Sequence, residues 1–185
     1  MLSGDVAIVK SPGFPYVPGL SVCGQVVEPV PPFAAGDWVV ATQGGVYGAF
    51  GVGGLAEYAL VDAAMAVRKP ESIGCVEAAA LANSAGHALQ ALRAAGVRPG
   101  DRVLILGGSG GVGTAAVQLA KTAEFGASFV AATSSDTALL ARLGVDRPID
   151  YTRGAPRAPA FSDDSSLHPA HIHLLVVLQL KLLQE

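Results

Sequence analysis

Arg102-Val-Leu-Ile-Leu-Gly-Gly-Ser-Gly-Gly-Val-Gly113 is the segment from which the fold class of this chain can be inferred. Residues 102–106 form an apolar run of the kind that is buried on both faces of a parallel sheet. Gly108, Gly110 and Gly113 then match the spacing G-x-G-x-x-G, directly before a helical pattern. The stretch therefore predicts a strand, a tight turn and the start of a helix.

The chemistry of this turn is typical of a dinucleotide site. Glycine lets the chain reverse tightly and lets a pyrophosphate approach the backbone amides, and the helix N-terminus supplies free N–H groups. The alternative is a glycine-rich turn between a strand and a helix that binds no ligand. We predict that six residues of the turn bind the cofactor: Gly108, Ser109, Gly110, Gly111, Val112 and Gly113.

The chain continues this alternation of helices and strands. The pattern predicts a helix over 114–125, a strand over 128–133, a helix over 136–143 and a strand over 148–151. This βαβαβ order indicates an α/β fold with a partial doubly wound parallel sheet. Beyond Gly154 the alternation stops, so 154–185 is predicted to be a linker and tail without a further strand.

Other patterns precede the glycine-rich turn. Short β-type runs at 24–28, 37–41 and 55–61 are broken by proline and glycine, and they predict a small all-β region. Between residues 76 and 96 the spacing is helical and predicts two helices, the second capped by Asn83-Ser84 and ended by Gly96.

The end of the second predicted strand indicates which nucleotide binds. An acidic residue there would accept a hydrogen bond from the ribose of NAD, but the position holds Thr133, followed by Ser134 and Ser135. These residues offer hydroxyls and amides to a 2′-phosphate, so NADPH is favoured over NAD(H), although the neighbouring Asp136 weakens that preference. Ser134-Ser135 also have a structural interpretation as the cap of the next helix.

Composition excludes several function classes. Charged residues make up 15% of the chain and the net charge is -3, so no basic field is available to hold a nucleic acid. The longest apolar stretch, 174–183, is too short to span a bilayer. Cys23 and Cys75 form neither a disulfide framework nor a zinc motif by spacing, so Cys23 is expected to be a small buried hydrophobe and the compartment a reducing one.

Several ordered motifs together resemble the zinc-free quinone-oxidoreductase (enoyl reductase domain) branch of the medium-chain dehydrogenase/reductase superfamily. They cover about residues 3 to 153. The motifs are Phe14-Pro-Tyr-Val-Pro-Gly19, Ala35-Gly-Asp-Trp-Val39, Gly53-Gly-Leu-Ala-Glu-Tyr58, the stretch 99–113 and Leu143-Gly-Val-Asp-Arg-Pro-Ile-Asp-Tyr151.

The resemblance implies a GroES-like β domain over 1–70, a partial Rossmann NADP-binding domain over 71–153 and a tail over 154–185. It also implies that a quinone or an α,β-unsaturated carbonyl is reduced with NADPH, and that the full-length family forms homodimers. Against the family pattern both ends look incomplete, which keeps organellar import open beside the default of a cytoplasmic protein.

The same comparison disfavours zinc, and no metal site is expected. Zinc-dependent relatives carry a Gly-His-Glu ligand motif where this chain has Gly19-Leu-Ser21, and no group of four cysteines follows. The tail contains His168, His171 and His173, whose spacing resembles a metal motif but lacks a carboxylate or cysteine partner.

The catalytic residues are not identified by the sequence, and three weak candidates remain. Tyr47 is a phenol in a glycine-rich loop, and packing is its more common role. His87 stands where family members tend to carry a threonine that faces the cofactor, and a structural role is favoured. Asn83 is interpreted as a cap rather than a donor to the substrate pocket.

Two function hypotheses from different classes follow. The first is an NADPH-dependent quinone or enone reductase, with an enoyl-thioester reductase as its near neighbour. The second is a catalytically inactive fragment that acts at most as a nucleotide-binding or partner-binding module.

Overall fold

The computed structural model describes residues 17–43 and 53–153 with their side chains, and the backbone of short strands at 5–6, 9–10 and 172–176. Contacts divide the chain into two compact units. The first comprises Met1–Asn83 with Gln184–Glu185, and the second comprises Ser84–Leu183. The two units are described separately below.

The first unit is built from antiparallel strands. Strands β1 (Asp5–Val6) and β2 (Val9–Lys10) pair with each other. Strands β3 (Ser21–Gln25), β4 (Trp38–Thr42) and β5 (Ala66–Arg68) form a sheet in that order, with β4 in the centre. The all-β prediction for this region is confirmed.

The strand predicted over 55–61 is absent, and the third strand of the sheet lies at Ala66–Arg68 instead. The amides of Gly53, Gly54 and Leu55 donate to the carbonyls of residues 17–19 at 2.7–3.1 Å, which uses them outside any strand ladder. Both edges of β4 are already paired with β3 and β5, so no central edge remains for residues 55–61. The β-type pattern of this segment was therefore overridden by tertiary pairing.

A disulfide joins Cys23 of β3 to Cys75, with the two Cα atoms 5.4 Å apart. The expectation that Cys23 is an unpaired buried hydrophobe was wrong, since it is only partly buried and is covalently bonded. The separation of 52 residues gives no indication of this pairing in the sequence. Disulfide formation depends on the distance and direction between two Cβ atoms, which only the folded chain sets.

One helix, α1 (Cys75–Ala94), replaces the two that were predicted. Asn83 and Ser84 lie in its interior, so neither caps a helix. Each costs a helix only about 0.5 kcal/mol relative to alanine, an amount that burial of residues such as Leu92 easily offsets. The predicted stop is confirmed, because Gly96 has a positive φ of 71° and its amide donates to the carbonyl of Arg93.

The second unit contains a four-stranded parallel sheet. Strand β6 (Arg102–Leu106) leads into helix α2 (Gly111–Ala120), strand β7 (Phe129–Ser134), helix α3 (Thr137–Arg142) and strand β8 (Arg147–Asp150). The βαβαβ prediction is confirmed. Its core includes six large side chains that are less than 2% exposed: Leu92, Val103, Ile105, Val117, Val130 and Leu140.

Strand β9 (Ile172–Val176) pairs with β6 in parallel, on the side of β6 opposite to β7. The prediction that 154–185 contains no further strand was therefore wrong. Short apolar runs do not distinguish a buried strand from a tail by periodicity alone. The resulting order β8-β7-β6-β9 matches the order 3-2-1-4 of a doubly wound dinucleotide-binding sheet.

The Asp146 side chain accepts a hydrogen bond from a backbone amide near the start of β7. Partial burial acts to raise the pKa of Asp146, but its carboxylate accepts hydrogen bonds from Lys121 and from the amide of Val130, which outweigh it. The pKa of Asp146 therefore lies below its usual value.

We expect Asp146→Ala to lower the free energy of unfolding at neutral pH by about 1–2 kcal/mol, because the buried Val130 amide loses its acceptor. Folding lowers the pKa of this carboxyl, so its contribution is present above the unfolded pKa of about 4 and is lost as the pH falls through the folded value. Urea denaturation across this range measures the effect. Asp146→Asn retains an acceptor and should lose less stability, with little pH dependence. If the difference in free energy of unfolding between the wild type and Asp146→Ala did not change with pH, the explanation would be contradicted.

Candidate dinucleotide-binding site

The glycine-rich turn begins directly after β6 and is fixed by hydrogen bonds to the end of β7. Gly107 has a positive φ of 76°, which makes it the residue that reverses the chain. Its amide donates to the Thr133 hydroxyl at 3.0 Å, and the amide of Gly108 donates to the Thr133 carbonyl at 2.8 Å. Thr133 is 7% exposed, so its side chain supports the turn from beneath.

Two motif glycines are required by close packing. A Cβ on Gly108 would lie 2.7 Å from the Cβ of Ala132 and 2.9 Å from Cδ2 of Leu140. A Cβ on Gly113 would overlap the Gly107 carbonyl oxygen and lie 2.8 Å from the Gly108 Cα. These contacts let the start of α2 approach the strand more closely than any larger residue would allow.

The N-terminus of α2 presents open amides. Gly110 is its N-cap and provides no side-chain cap, and no acidic side chain lies in the first turn. The first intrahelical acceptor is used by Thr114, whose amide donates to the Gly110 carbonyl at 2.8 Å. The amides of Gly111, Val112 and Gly113 precede it and have no partner within the helix, so they are suited to bind a phosphate group.

The serines after Thr133 have different environments. Ser134 is fully buried, and its hydroxyl bonds the Ser109 hydroxyl at 2.6 Å and accepts from the Asp136 amide at 2.8 Å. Ser135 is exposed. Asp136, not the serine pair, caps α3 through a 2.9 Å bond from the Leu139 amide, which corrects the interpretation of Ser134-Ser135 as that cap.

The candidate catalytic and metal-binding residues do not lie together in one cluster within the described part of the chain. His87 is exposed on α1 and Asn83 is partly buried within it. Tyr47, His168 and His171 lie outside the described residues, and the backbone of His173 is in β9, opposite Val103. Across 17–43 and 53–153, no three histidine, cysteine or acidic side chains are grouped as a metal site would require.

Ser84 is a neighbour of the turn that the sequence did not reveal. Its Oγ would lie 2.9 Å from a Cβ placed on Gly111. The sequence contains no signal for this contact, because the second half of α1 and the whole of β6 separate the two residues along the chain.

No helix in the described part of the chain is long and apolar enough to cross a bilayer.

Comparison with known proteins agrees with this architecture. Residues 1–71 match the alcohol dehydrogenase GroES-like domain. The chain is 42% identical over 157 residues to the 2-methylene-furan-3-one reductase of Solanum lycopersicum, covering 81% of this chain and 40% of that protein. It is 40% identical over 149 residues to the chloroplast envelope quinone oxidoreductase homolog of Arabidopsis thaliana, covering 75% of this chain and 43% of that protein.

A solved structure also matches. The yhdH oxidoreductase from Salmonella enterica, in complex with NADP, superimposes with a TM-score of 0.67 at 35% identity and covers 82% of this chain and 48% of that one. The chain thus spans less than half the length of these relatives. Their names, the matched domain and the strand order agree, and the chain belongs to the medium-chain dehydrogenase/reductase superfamily as a quinone-oxidoreductase-like member.

Proposed function

We propose that this chain carries the NADP-binding part of a reductase that transfers hydride from NADPH to quinones or α,β-unsaturated carbonyls without a metal. The observation that carries this proposal is the glycine-rich turn at the carboxyl end of β6, with the open amides of α2 beside it. Strands β7 and β9 lie on opposite sides of β6, and ligands of doubly wound sheets bind where the strand order reverses in this way.

The residues of the turn fit a dinucleotide. The open backbone amides of Gly111, Val112 and Gly113 would bind the pyrophosphate, whereas the Gly110 amide already donates to the Gly107 carbonyl. The glycines at 108 and 113 keep side chains out of the space that the turn needs. Buried Thr133 and Ser134 would position the turn through their hydrogen bonds to Gly107 and Ser109, whereas exposed Ser135 is free to face a ligand. When bound, NADPH supplies the hydride.

The end of β7 supports NADPH over NAD(H). It carries hydroxyl groups where a carboxylate would bind the ribose of NAD and repel a 2′-phosphate. The one carboxylate that follows closely, Asp136, is used to cap α3. The NADP bound to the Salmonella enterica oxidoreductase agrees with this preference.

Metal-free chemistry is supported by the donor groups of the first unit. Gly19-Leu-Ser21 stands where a histidine and a glutamate would be needed as zinc ligands, and Leu20 offers no donor atom. Cys23 is in a disulfide, which leaves no thiolate for a metal.

The substrate class follows from the names of the relatives, a furanone reductase and a quinone oxidoreductase homolog. Both names denote electron-poor carbonyl compounds. Reduction of such a compound places negative charge on the carbonyl oxygen, which the site must stabilise with a donor. Tyr47, His87 and Asn83 remain the candidates for that donor.

Titration of the purified chain with NADPH and NADH tests the cofactor, followed by turnover assays with a quinone, an enone and an enoyl thioester. We expect NADPH to bind more tightly than NADH and to be oxidised by the quinone or the enone. Binding without any turnover would favour the inactive nucleotide-binding module. Turnover of the thioester alone would favour an enoyl-thioester reductase, and the absence of NADPH binding would refute the cofactor assignment.

Ser135→Asp is expected to weaken NADPH binding by about tenfold or more, because the new carboxylate would repel the 2′-phosphate. NADH lacks that phosphate, so its affinity should change little. Ser135→Ala is the matched control, since it removes the hydroxyl without adding charge. Equal losses of affinity for NADPH and NADH would show that Ser135 does not lie near the 2′-phosphate.

A further inference from the structure

The disulfide between Cys23 and Cys75 lies on one face of the first-unit sheet. Cys23 is directly opposite Val40 in the ladder, and Val40 is directly opposite Val67. Residues that are directly opposite each other in a sheet point to the same face, so these three side chains share a face with the disulfide. Trp38, two residues before Val40 in β4, belongs to the same face.

Large apolar side chains beside this disulfide are open to solvent. Trp38 is 47% exposed and Val67 is 61% exposed. Val76, which directly follows Cys75 in α1, is 81% exposed. We call Trp38, Val67 and Val76 the disulfide face. Exposed apolar side chains that lie together are typical of a surface that binds another protein.

The disulfide itself can be reached by a thiol from outside. Cys23 and Cys75 are both only partly buried. Thiol–disulfide exchange requires that a thiolate approach one of the two sulfurs, and exposed disulfides are the ones that exchange readily. A partner that fits this surface therefore has to combine an apolar contact area with a reactive thiol.

We propose that the disulfide face is the docking surface for a protein whose accessible dithiol lies within an apolar surface, and that this partner reduces the Cys23–Cys75 bond. A thiolate of the partner attacks the Cys23 sulfur and forms a mixed disulfide, while Cys75 leaves as a thiolate and takes up a proton. The partner's second thiol then attacks the mixed disulfide and releases Cys23 as a thiol. The chain gains two electrons and two protons, and the partner is oxidised to a disulfide.

The position of Cys75 determines the leaving group and the consequence of the exchange. Cys75 is the first residue of α1, where free backbone amides stabilise a thiolate, an effect that the carboxylate of Glu77 in the same turn reduces. Reduction releases the start of α1 from β3, so the partner would control the tie between the helix and the sheet. This inference does not depend on the proposed reductase activity.

Two reductants test the proposal. Reduced thioredoxin is a protein with a Cys-x-x-Cys dithiol, whereas dithiothreitol is a dithiol without a docking surface. Alkylation and mass spectrometry measure the rate at which the native chain acquires two free thiols. The double variant Val67→Thr/Val76→Thr should slow reduction by thioredoxin about tenfold, because two exposed apolar contacts are lost, and should leave the rate with dithiothreitol unchanged.

Val30→Thr is the matched control and should change neither rate. Val30 is 46% exposed and pairs with Phe33, which contacts Arg68 on the opposite face of the sheet. If the double variant opened the fold, its rate with dithiothreitol would rise. Val76→Thr alone, at an exposed helix position, would then decide, with an expected threefold slowing of about the same selectivity.

Three results would overturn the proposal. Thioredoxin that reduced the wild type no faster than dithiothreitol would show that no docking takes place. Unchanged reduction of both the double variant and Val76→Thr by thioredoxin would show that the disulfide face is not the surface used. An equal slowing in Val30→Thr would show that the effect is not specific to this face.

Discussion

Reduction of the disulfide between Cys23 and Cys75 is expected to lower the free energy of unfolding of the first unit by about 4 kcal/mol, the largest effect that we predict. The bond closes a loop of 52 residues, and the loop-closure entropy that it removes from the unfolded chain has this magnitude. It ties the edge strand β3 to the first residue of α1. Urea denaturation with and without dithiothreitol measures the change, and the fluorescence of Trp38, the only tryptophan, reports on the first unit.

The control is the double variant Cys23→Ser/Cys75→Ser, which should have the lowered stability under both conditions and should not respond to dithiothreitol. A thiol assay on the unfolded wild type should detect no free thiol before reduction and two thiols after it. Two free thiols before reduction, or an unfolding midpoint that reduction leaves unchanged, would contradict the prediction.

Gly113→Ala is expected to lower the free energy of unfolding of the second unit by about 3 kcal/mol and to abolish NADPH binding. The new Cβ would overlap the Gly107 carbonyl oxygen and press on the Gly108 Cα, and backbone atoms cannot move aside as a side chain can. The start of α2 would have to move away from the turn, and its amides would move with it. Thermal denaturation followed by circular dichroism, together with an NADPH titration, measures both effects.

Gly86→Ala provides the matched control, since it makes the same substitution inside a helix. Gly86 lies in α1, is exposed and has no atom within 4 Å of an added Cβ. The substitution should raise stability by about 0.5–1 kcal/mol, because alanine favours the helix. If both variants changed stability in the same direction, helix propensity rather than close packing would explain the result at Gly113.

The turn and its strand were predictable because their signals are local. Residues 102–106 form β6 with the predicted bounds, and the glycines that follow it mark the start of α2. An apolar run that is followed by a glycine motif forms its structure through interactions between residues that are close together in the chain. The βαβαβ order and the helix stop at Gly96 were predicted for the same reason.

The predictions that failed depended on contacts between distant parts of the chain. Neighbouring residues in the sequence do not reveal the partner of Cys23, the position of β9 beside β6 or the continuity of α1 through Asn83. The disulfide and the pairing of β9 with β6 join residues that are far apart in the sequence, whereas α1 is continuous because the low helix propensity of Asn83 and Ser84 is too weak to end it.

The glycine-rich, dinucleotide-type turn between a strand and a helix, and the hydroxyl residues at the end of the next strand, can be recognised from the order of residues alone. The folded chain is needed to tell which of those hydroxyls are buried supports and which are exposed, and to place Ser84 against Gly111. The reason is that a motif specifies backbone geometry locally, whereas the environment of each side chain depends on packing between helices and strands that are distant along the chain.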